Sequence, residues 1–186
     1  MKTINLHRIH TIILILGLLL GCLNTYAATD CNAVTEISQV ECESLLRLYH
    51  DMDGLNWKHD EGWNLTNTPC SWYGITCENG SITEINLRGA GLNGTIPNFK
   101  GLHLLQRLDL SGNKLTGPIP NFSGLPELRE LDLYSNQLAA TIPDFSALPL
   151  LQTLNLSFNQ LGGTIPNLSA LLNLETFRFS NKSTDI

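Results

Sequence analysis

The sequence predicts an α/β fold in which stacked coils form a solenoid behind a small helical cap. The first observation is a 23-residue repeat that occupies residues 82–186 in four full copies and a partial fifth. The second is that apolar and polar residues alternate in each copy, as in a strand with one buried face. The third is a change to helical periodicity in a cysteine-containing stretch before the repeats. A fixed period of this length predicts stacked units rather than a single globule.

The clearest copy begins at Leu105 and reads LQRLDLSGNKLTGPIPNFSGLPE. Its alternation predicts that Leu108 and Leu110 point inward, whereas Asp109 and Ser111 point outward. One such strand cannot bury its inner face alone. Neighbouring copies are therefore expected to pair as a parallel sheet.

An asparagine follows the strand in three copies, at Asn113, Asn136 and Asn159. We expect these amides to turn inward and bond the backbone of adjacent coils, because the polar groups of a buried bend need partners. Ala90 replaces this asparagine in the first copy, and Ala140 replaces a glycine in the third. We expect both of these turns to be less regular.

The pattern LxxLxLxxNxLxGxIP, present here as LQRLDLSGNKLTGPIP, resembles the plant-type leucine-rich repeat. The resemblance covers residues 82–186. It implies a curved right-handed leucine-rich-repeat solenoid with a parallel β-sheet on its concave face. It also implies a second, shorter pairing where Gly94, Gly117 and Gly163 precede Ile-Pro.

The segment before the repeats, residues 29–81, resembles the N-terminal cap of such proteins, and residues 70–77, CSWYGITC, match the family's CxWxGxxC. Such a cap covers the apolar end of the first coil. Four apolar residues fall on one helical face, and the helix is expected to end near Asp53 and Gly54. Three tryptophans follow in a loop-rich stretch. These residues are Leu45, Leu48, Tyr49 and Met52 on the helix, then Trp57, Trp63 and Trp72.

Apart from Cys22, the cysteines are Cys31, Cys42, Cys70 and Cys77. An even number in an exported protein predicts two disulfides. Three connectivities are possible, and closure of small loops favours Cys31 with Cys42 and Cys70 with Cys77. A zinc site is the alternative, but neither pair has the CxxC spacing that is usual in such sites.

Residues 1–28 are interpreted as a signal peptide. Two basic residues precede an apolar run over residues 12–21, and the small residues that follow favour cleavage near Ala27 or Ala28. The alternative is a bacterial lipoprotein, since residues 19–22, LLGC, resemble a lipobox with a possible lipid anchor at Cys22. The run is too short to span a bilayer comfortably. We therefore expect a secreted or cell-surface protein with no transmembrane segment in the mature chain.

Composition and motifs favour recognition over catalysis. A net charge of -6 and a pI of about 5.2 argue against nucleic acid as a partner. The nucleophile, zinc-protease and phosphate-loop motifs are missing from the sequence. Asp109 and Asp132 occupy equivalent positions and resemble a glycosidase pair, but Asp or Asn is typical of this place in the repeat. An acidic stretch between His50 and Glu61 does not match a calcium loop. We predict no enzymatic activity, no metal site and no cofactor.

The predicted ligand-binding surface is the outward side of the concave sheet. Tyr134 is expected to be exposed there, whereas Phe158 is either exposed or packed on a neighbouring turn. The predicted function is a binding module for a protein or glycan-bearing ligand. The alternatives are an inhibitor of a secreted wall-degrading enzyme and a structural repeat fragment without its own ligand. The predicted ligand-binding residues are Arg88, Arg107, Asp109, Glu130, Asp132, Tyr134, Asn155, Phe158 and Arg178.

One of seven Asn-x-Ser/Thr sequons places Asn155 on this predicted surface. In a eukaryotic secretory pathway, a glycan at Asn155 would oppose ligand binding there.

Overall fold

The computed structural model describes residues 28–181 as successive coils stacked behind an N-terminal cap. The signal-peptide cleavage signals before residue 28, including the alternative lipid anchor at Cys22, lie outside the described residues. So do the last five residues of the partial fifth repeat.

Helix α1, Gln39–Asp51, is the main element of the cap. It begins with a capping box in which the Ser38 hydroxyl accepts from the Glu41 amide and the Glu41 carboxylate accepts from the Ser38 amide. The same buried carboxylate also accepts a hydrogen bond from the backbone N–H of Ile82, at 3.0 Å. Glu41 therefore joins the start of the helix to the first coil.

The apolar face of α1 is buried as the helical spacing predicted, with Leu45, Leu48 and Met52 fully covered. Short 3-10 turns at Gly54–Asn56 and Pro69–Ser71 directly precede Trp57 and Trp72. The three indole rings form a chain in which consecutive centroids are 5.0 Å apart, and all three residues are buried. The prediction that this cap covers the apolar end of the first coil is confirmed, because both belong to one buried cluster. The tryptophans are Trp57, Trp63 and Trp72.

Two disulfides fix the cap, Cys31–Cys42 and Cys70–Cys77. This is the connectivity that small-loop closure favoured. The first ties the start of the described chain to α1. The second ties the turn Pro69–Ser71 to the first strand. Because each of the four sulfurs is already bonded in a disulfide, the zinc alternative is wrong.

The strands of the described chain form two sheets along the stack. In the six-stranded sheet, order β1-β2-β4-β6-β8-β10, β1 is antiparallel to β2 and every later pairing is parallel. The four-stranded sheet, order β3-β5-β7-β9, is parallel throughout. The strands are β1 Ile75–Glu78, β2 Ser81–Asn86, β3 Asn93–Thr95, β4 Arg107–Asp109, β5 Lys114–Gly117, β6 Glu130–Asp132, β7 Gln137–Thr141, β8 Thr153–Asn155, β9 Gln160–Gly162 and β10 Thr176–Arg178.

The register of the larger sheet follows the sequence repeat. Leu108 pairs with Leu131 and Leu131 pairs with Leu154, each 23 residues apart, and all three are buried. In the smaller sheet the partners are 21 residues apart, as in Gly117 with Leu138. The predicted stacking of equivalent leucines is therefore confirmed, and the second, shorter pairing is present.

Buried asparagines connect the coils, as expected from the sequence. The Asn136 carboxamide is fully buried, and its oxygen accepts from the Leu115 N–H at 3.0 Å. Its nitrogen donates to the carbonyl oxygens of Leu110, in the preceding coil, and Leu133, in its own coil. One side chain thus satisfies backbone groups of two coils, and Asn113 and Asn159 make equivalent bonds.

The first coil lacks this asparagine, but the asparagine of the second coil bonds its backbone. The Asn113 oxygen accepts from both Gly91 and Leu92, at 2.9 and 3.0 Å. The first turn differs from the later ones, since Gly91 has φ +89° and Gly94 has φ +127°. The expected irregularity near Ala90 is therefore observed.

The expectation for the third turn is wrong. Ala140 has φ +76°, the same value as Gly117 and Gly163 at the equivalent positions. Pairing of β7 with β5 and β9 holds this backbone in the repeat conformation. The turn stays regular, and the strain falls on the alanine, because a Cβ is unfavourable in the left-handed region.

We expect Asn136→Ala to lower the free energy of unfolding by about 3 kcal/mol, because it leaves a buried N–H and buried carbonyl oxygens without their partner. Urea denaturation monitored by circular dichroism measures this change. Asn181→Ala is the matched control, since Asn181 makes a similar bond to the Leu161 N–H but is exposed. Its cost should be about 1 kcal/mol or less. An equal loss of stability in the two variants would contradict the prediction that burial makes the Asn136 bonds more important.

We expect Ala140→Gly to raise the free energy of unfolding by up to about 1 kcal/mol, because glycine adopts positive φ without steric cost. Ala139→Gly is the control, because Ala139 lies in the same strand but does not have positive φ. This variant should lower the free energy of unfolding by about 0.5–1 kcal/mol. Thermal melts of both variants test the prediction. A loss of stability in Ala140→Gly would contradict it.

Candidate functional site

The candidate site is the outward side of the six-stranded sheet, called here the concave face. Parallel pairing aligns equivalent outward residues into two columns that cross the strands. The outer column is Glu84, Arg107, Glu130, Thr153 and Thr176. The inner column is Asn86, Asp109, Asp132, Asn155 and Arg178.

The first four residues of the inner column share one local role. Each side-chain oxygen accepts a hydrogen bond from the backbone N–H two residues later. At Asp109 and Asp132 the acceptor lies 2.8 Å from the nitrogens of Ser111 and Tyr134. This turn needs an oxygen on a short side chain, which explains why the repeat has Asp or Asn here.

The middle of the concave face carries more negatively than positively charged side chains. Arg107 forms an ion pair with Glu84, and this hydrogen bond raises the pKa of the guanidinium. Asp109 and Asp132 are direct partners in the sheet register. Burial raises the pKa of Asp132 from its ordinary value, and the charge of Asp109 adds to this effect. With Glu130 nearby, these side chains line a shallow depression of about 180 Å³.

An aromatic pair lies just after the ends of strands β6 and β8. The ring centroids of Tyr134 and Phe158 are 5.2 Å apart with a tilt of 56°. Phe158 is 48% exposed, whereas Tyr134 is half-buried. Phe158 is thus both exposed and in contact with the neighbouring coil, and Tyr134 is less exposed than expected.

The backbone at Phe158 is in the left-handed region, with φ +61°. The equivalent positions in earlier coils are Gly89, Gly112 and Ser135, and all have positive φ. Sequence reasoning missed this feature, although the two glycines in the same column were a signal for it. A bulky residue at such a position is unusual.

Ser111 and Asn155, which were expected to point outward, are buried instead. Asn155 is 7% exposed, because its amide turns onto the neighbouring strand and donates to Asp132 at 3.3 Å. Ser111 and Ser157 are also buried, because the turn formed by the inner column redirects the chain after the strand. Asn155 therefore packs against its neighbours and offers little side-chain surface to a ligand.

The other predicted ligand-binding residues lie on the concave face or at its edge. Arg88, Arg107, Glu130 and Arg178 are exposed. They do not converge on one point, since Arg88 and Arg178 lie near opposite ends of the stack of coils. Asp109, Glu130 and Asp132 line the central depression, whereas Tyr134 and Phe158 are not among the residues that line it.

Within residues 28–181, no cluster of three or more His, Cys, Asp or Glu side chains is arranged to hold a metal ion. No helix in the same range has the length and apolar content needed to cross a membrane.

Comparison with known proteins gives matches to three family models. The leucine-rich repeat N-terminal domain matches residues 40–78. Models of the leucine-rich repeat match residues 103–147, as two copies, and residues 150–172.

Among curated proteins, receptor-like protein 52 of Arabidopsis thaliana is 44% identical over 50 residues, which cover 23% of this chain and 6% of that protein. The chain thus spans a small fraction of the plant receptors it matches, between 3% and 6% of their length.

Among solved structures, the BIR3–SERK2 complex from Arabidopsis thaliana matches with a TM-score of 0.68 and 34% identity, covering 77% of this chain and 82% of the matched chain. The receptor kinase ectodomain of GASSHO1/SCHENGEN3 from Arabidopsis thaliana, in complex with Casparian strip integrity factor 2, matches with a TM-score of 0.65 and 32% identity. This match covers 77% of this chain and 18% of the ectodomain. The repeats, the cap and these relatives agree: the chain belongs to the leucine-rich-repeat family, with a leucine-rich repeat N-terminal domain preceding its repeats.

Proposed function

We propose that this protein is an extracellular or surface-attached binding module that recognises a protein or carbohydrate-linked ligand on its concave face. The Tyr134–Phe158 pair is the observation that carries the proposal. Aromatic residues concentrate binding energy in protein interfaces, because they bury a large area with few rotatable bonds. Tyr134 follows Glu130 and Asp132 of strand β6, and an aromatic anchor with polar surroundings is the composition of a protein interface.

The position of Phe158 supports a functional role for its exposed ring. The left-handed backbone costs about 1–2 kcal/mol for a residue with a Cβ. Gly89 and Gly112 avoid this cost in equivalent turns, whereas Ser135 shares it with a much smaller side chain. Since the fold favours glycine here and half of the ring faces solvent, stability alone does not account for the phenylalanine.

The proposed location and ligand class rest on further observations. Two disulfides favour an oxidising compartment. The related BIR3–SERK2 and GASSHO1/SCHENGEN3 structures are complexes with partner molecules, which supports recognition as the activity of this chain. With few coils, the concave face supports an interface of modest area.

We expect Tyr134→Ala and Phe158→Gly each to weaken ligand binding by about thirtyfold, the effect of removing an interface anchor. Peptides selected from an unbiased display library on the immobilised protein provide the ligand, and biolayer interferometry measures affinity. Phe158→Gly should also keep or raise the melting temperature, since it relieves the backbone.

Leu104→Ala is the matched control, because Leu104 is 49% exposed and lies outside both sheets. This variant should bind as tightly as the original protein. If the library yields no specific peptide, or if the two aromatic variants retain full affinity, the concave face is not the binding surface proposed.

A further inference from the structure

We propose that the Cys70–Cys77 disulfide of the cap is a reversible thiol–disulfide exchange site, which a small thiol opens while Cys31–Cys42 stays closed. This inference does not depend on the proposed binding function. It rests on the unequal burial of the two disulfides, and on contacts that hold the Cys70–Cys77 loop without its covalent bond.

The two disulfides differ in access. Cys42 is fully buried and Cys31 is 8% exposed, whereas Cys70 and Cys77 are both half-buried. Exchange begins only where a thiolate reaches one of the two sulfurs. The reaction should therefore begin at Cys70–Cys77. The residues next to this pair in the chain that are exposed are Ser71, Thr76 and Glu78.

The place of Cys77 in the fold accounts for its access. Cys77 lies in β1, which is the end strand of the six-stranded sheet and pairs with β2 alone. The other edge of β1 has no strand beside it within residues 28–181. An end strand is open to approach from solvent along its unpaired edge. This edge gives a small thiol a route to the second disulfide.

The loop between the two cysteines is also held by backbone contacts. The Cys70 N–H donates to the Glu36 carboxylate at 3.1 Å. Within the loop, the Gly74 carbonyl oxygen accepts from the Asn86 N–H at 2.7 Å. A Cβ at Gly74 would lie 2.1 Å from the Asn86 carbonyl oxygen, so the loop packs directly on the end of β2. These contacts do not require the sulfur–sulfur bond.

Trp72 anchors the same loop through its side chain. The residue is 2% exposed, its ring centroid lies 5.0 Å from that of Trp63, and its indole N–H donates to the Thr66 hydroxyl at 2.9 Å. The bond itself closes the shorter loop, with a sequence separation of 7 against 11, and a shorter loop restricts the unfolded chain less. The cap should therefore keep its fold when Cys70–Cys77 opens, with both thiols held close enough to pair again.

The exchange consists of two balanced steps. The thiolate of the small thiol attacks one sulfur, forms a mixed disulfide with that cysteine and displaces the other cysteine as a thiolate. A second small thiol then attacks the small-molecule sulfur of the mixed disulfide and releases the remaining cysteine. Two small thiols are oxidised to their disulfide, and their two electrons reduce Cys70–Cys77. The reverse reaction with the oxidised small molecule restores the bond.

The competing interpretation is that both disulfides are purely structural and open only when the cap unfolds. The two bonds would then be reduced together, and secondary structure would be lost at the same rate. The selectivity of reduction and the fold of the reduced protein separate these possibilities.

Reduced glutathione tests the inference with the mature, disulfide-bonded protein in native buffer. Samples are quenched at intervals with N-ethylmaleimide, and peptide mass spectrometry measures alkylation or glutathione addition at each cysteine. Cys70 and Cys77 should react at least about tenfold faster than Cys31 and Cys42, because the buried pair reacts only through rarer openings of the cap. Circular dichroism should stay native while Cys70–Cys77 is open, and oxidised glutathione should restore this bond.

Two controls connect the selectivity to the fold and to this pair. In guanidinium chloride the two disulfides should open at similar rates, because the unfolded chain gives them similar access. The double variant Cys70→Ala/Cys77→Ala should take up neither glutathione nor N-ethylmaleimide in native buffer.

The inference is overturned if Cys31 and Cys42 react as fast as Cys70 and Cys77 in native buffer, or if neither disulfide opens before the protein unfolds. Loss of the native circular dichroism spectrum at the rate of Cys70–Cys77 opening would overturn it too, as would uptake of either reagent by the double variant. A preference for Cys70–Cys77 that persists in guanidinium chloride would show that the fold does not create the selectivity, with the same consequence.

Discussion

The structure depends on one constraint, that a single coil can neither bury its apolar strand face nor satisfy the polar groups of its bend. Stacking at a fixed register solves both problems together. Leu108, Leu131 and Leu154 cover one another along the core. The amides of Asn113 and Asn136 then bond the bends of preceding coils. Each coil is thus completed by its neighbour, which is why the repeat length is so strict.

The same constraint explains the cap. The first coil has no coil before it, and Ala90 stands where later coils have asparagine. Its apolar end is covered by α1 and the three tryptophans, held by two disulfides. Its backbone is completed from both sides, by Glu41 of the helix and Asn113 of the second coil. The cap therefore replaces a missing neighbour with aromatic area and a buried carboxylate.

Because the inward positions hold the fold, the outward positions can depart from what stability favours. Ala140 occupies a left-handed backbone position where the equivalent residues are glycines, and Phe158 shares one with Gly89, Gly112 and Ser135. Ala140 is exposed in the smaller sheet and has no evident role. Phe158 lies just after the end of strand β8, where its ring contacts that of Tyr134.

The sequence by itself determined the 23-residue period, the strand and helix positions, the cap, the favoured disulfide pairing and the inward asparagines. These features follow from local spacing, which the stacking repeats without change. Only the tertiary structure decided which outward residues are accessible. Alternation assigns a residue to one side of a strand, but Ser111, Asn155 and Ser157 are buried because the turn after the strand redirects the chain or a neighbouring coil engages the side chain. The positive φ of Phe158 and Ala140 was likewise set by the coils around them, because pairing with neighbours holds the backbone in a conformation that their own side chains disfavour.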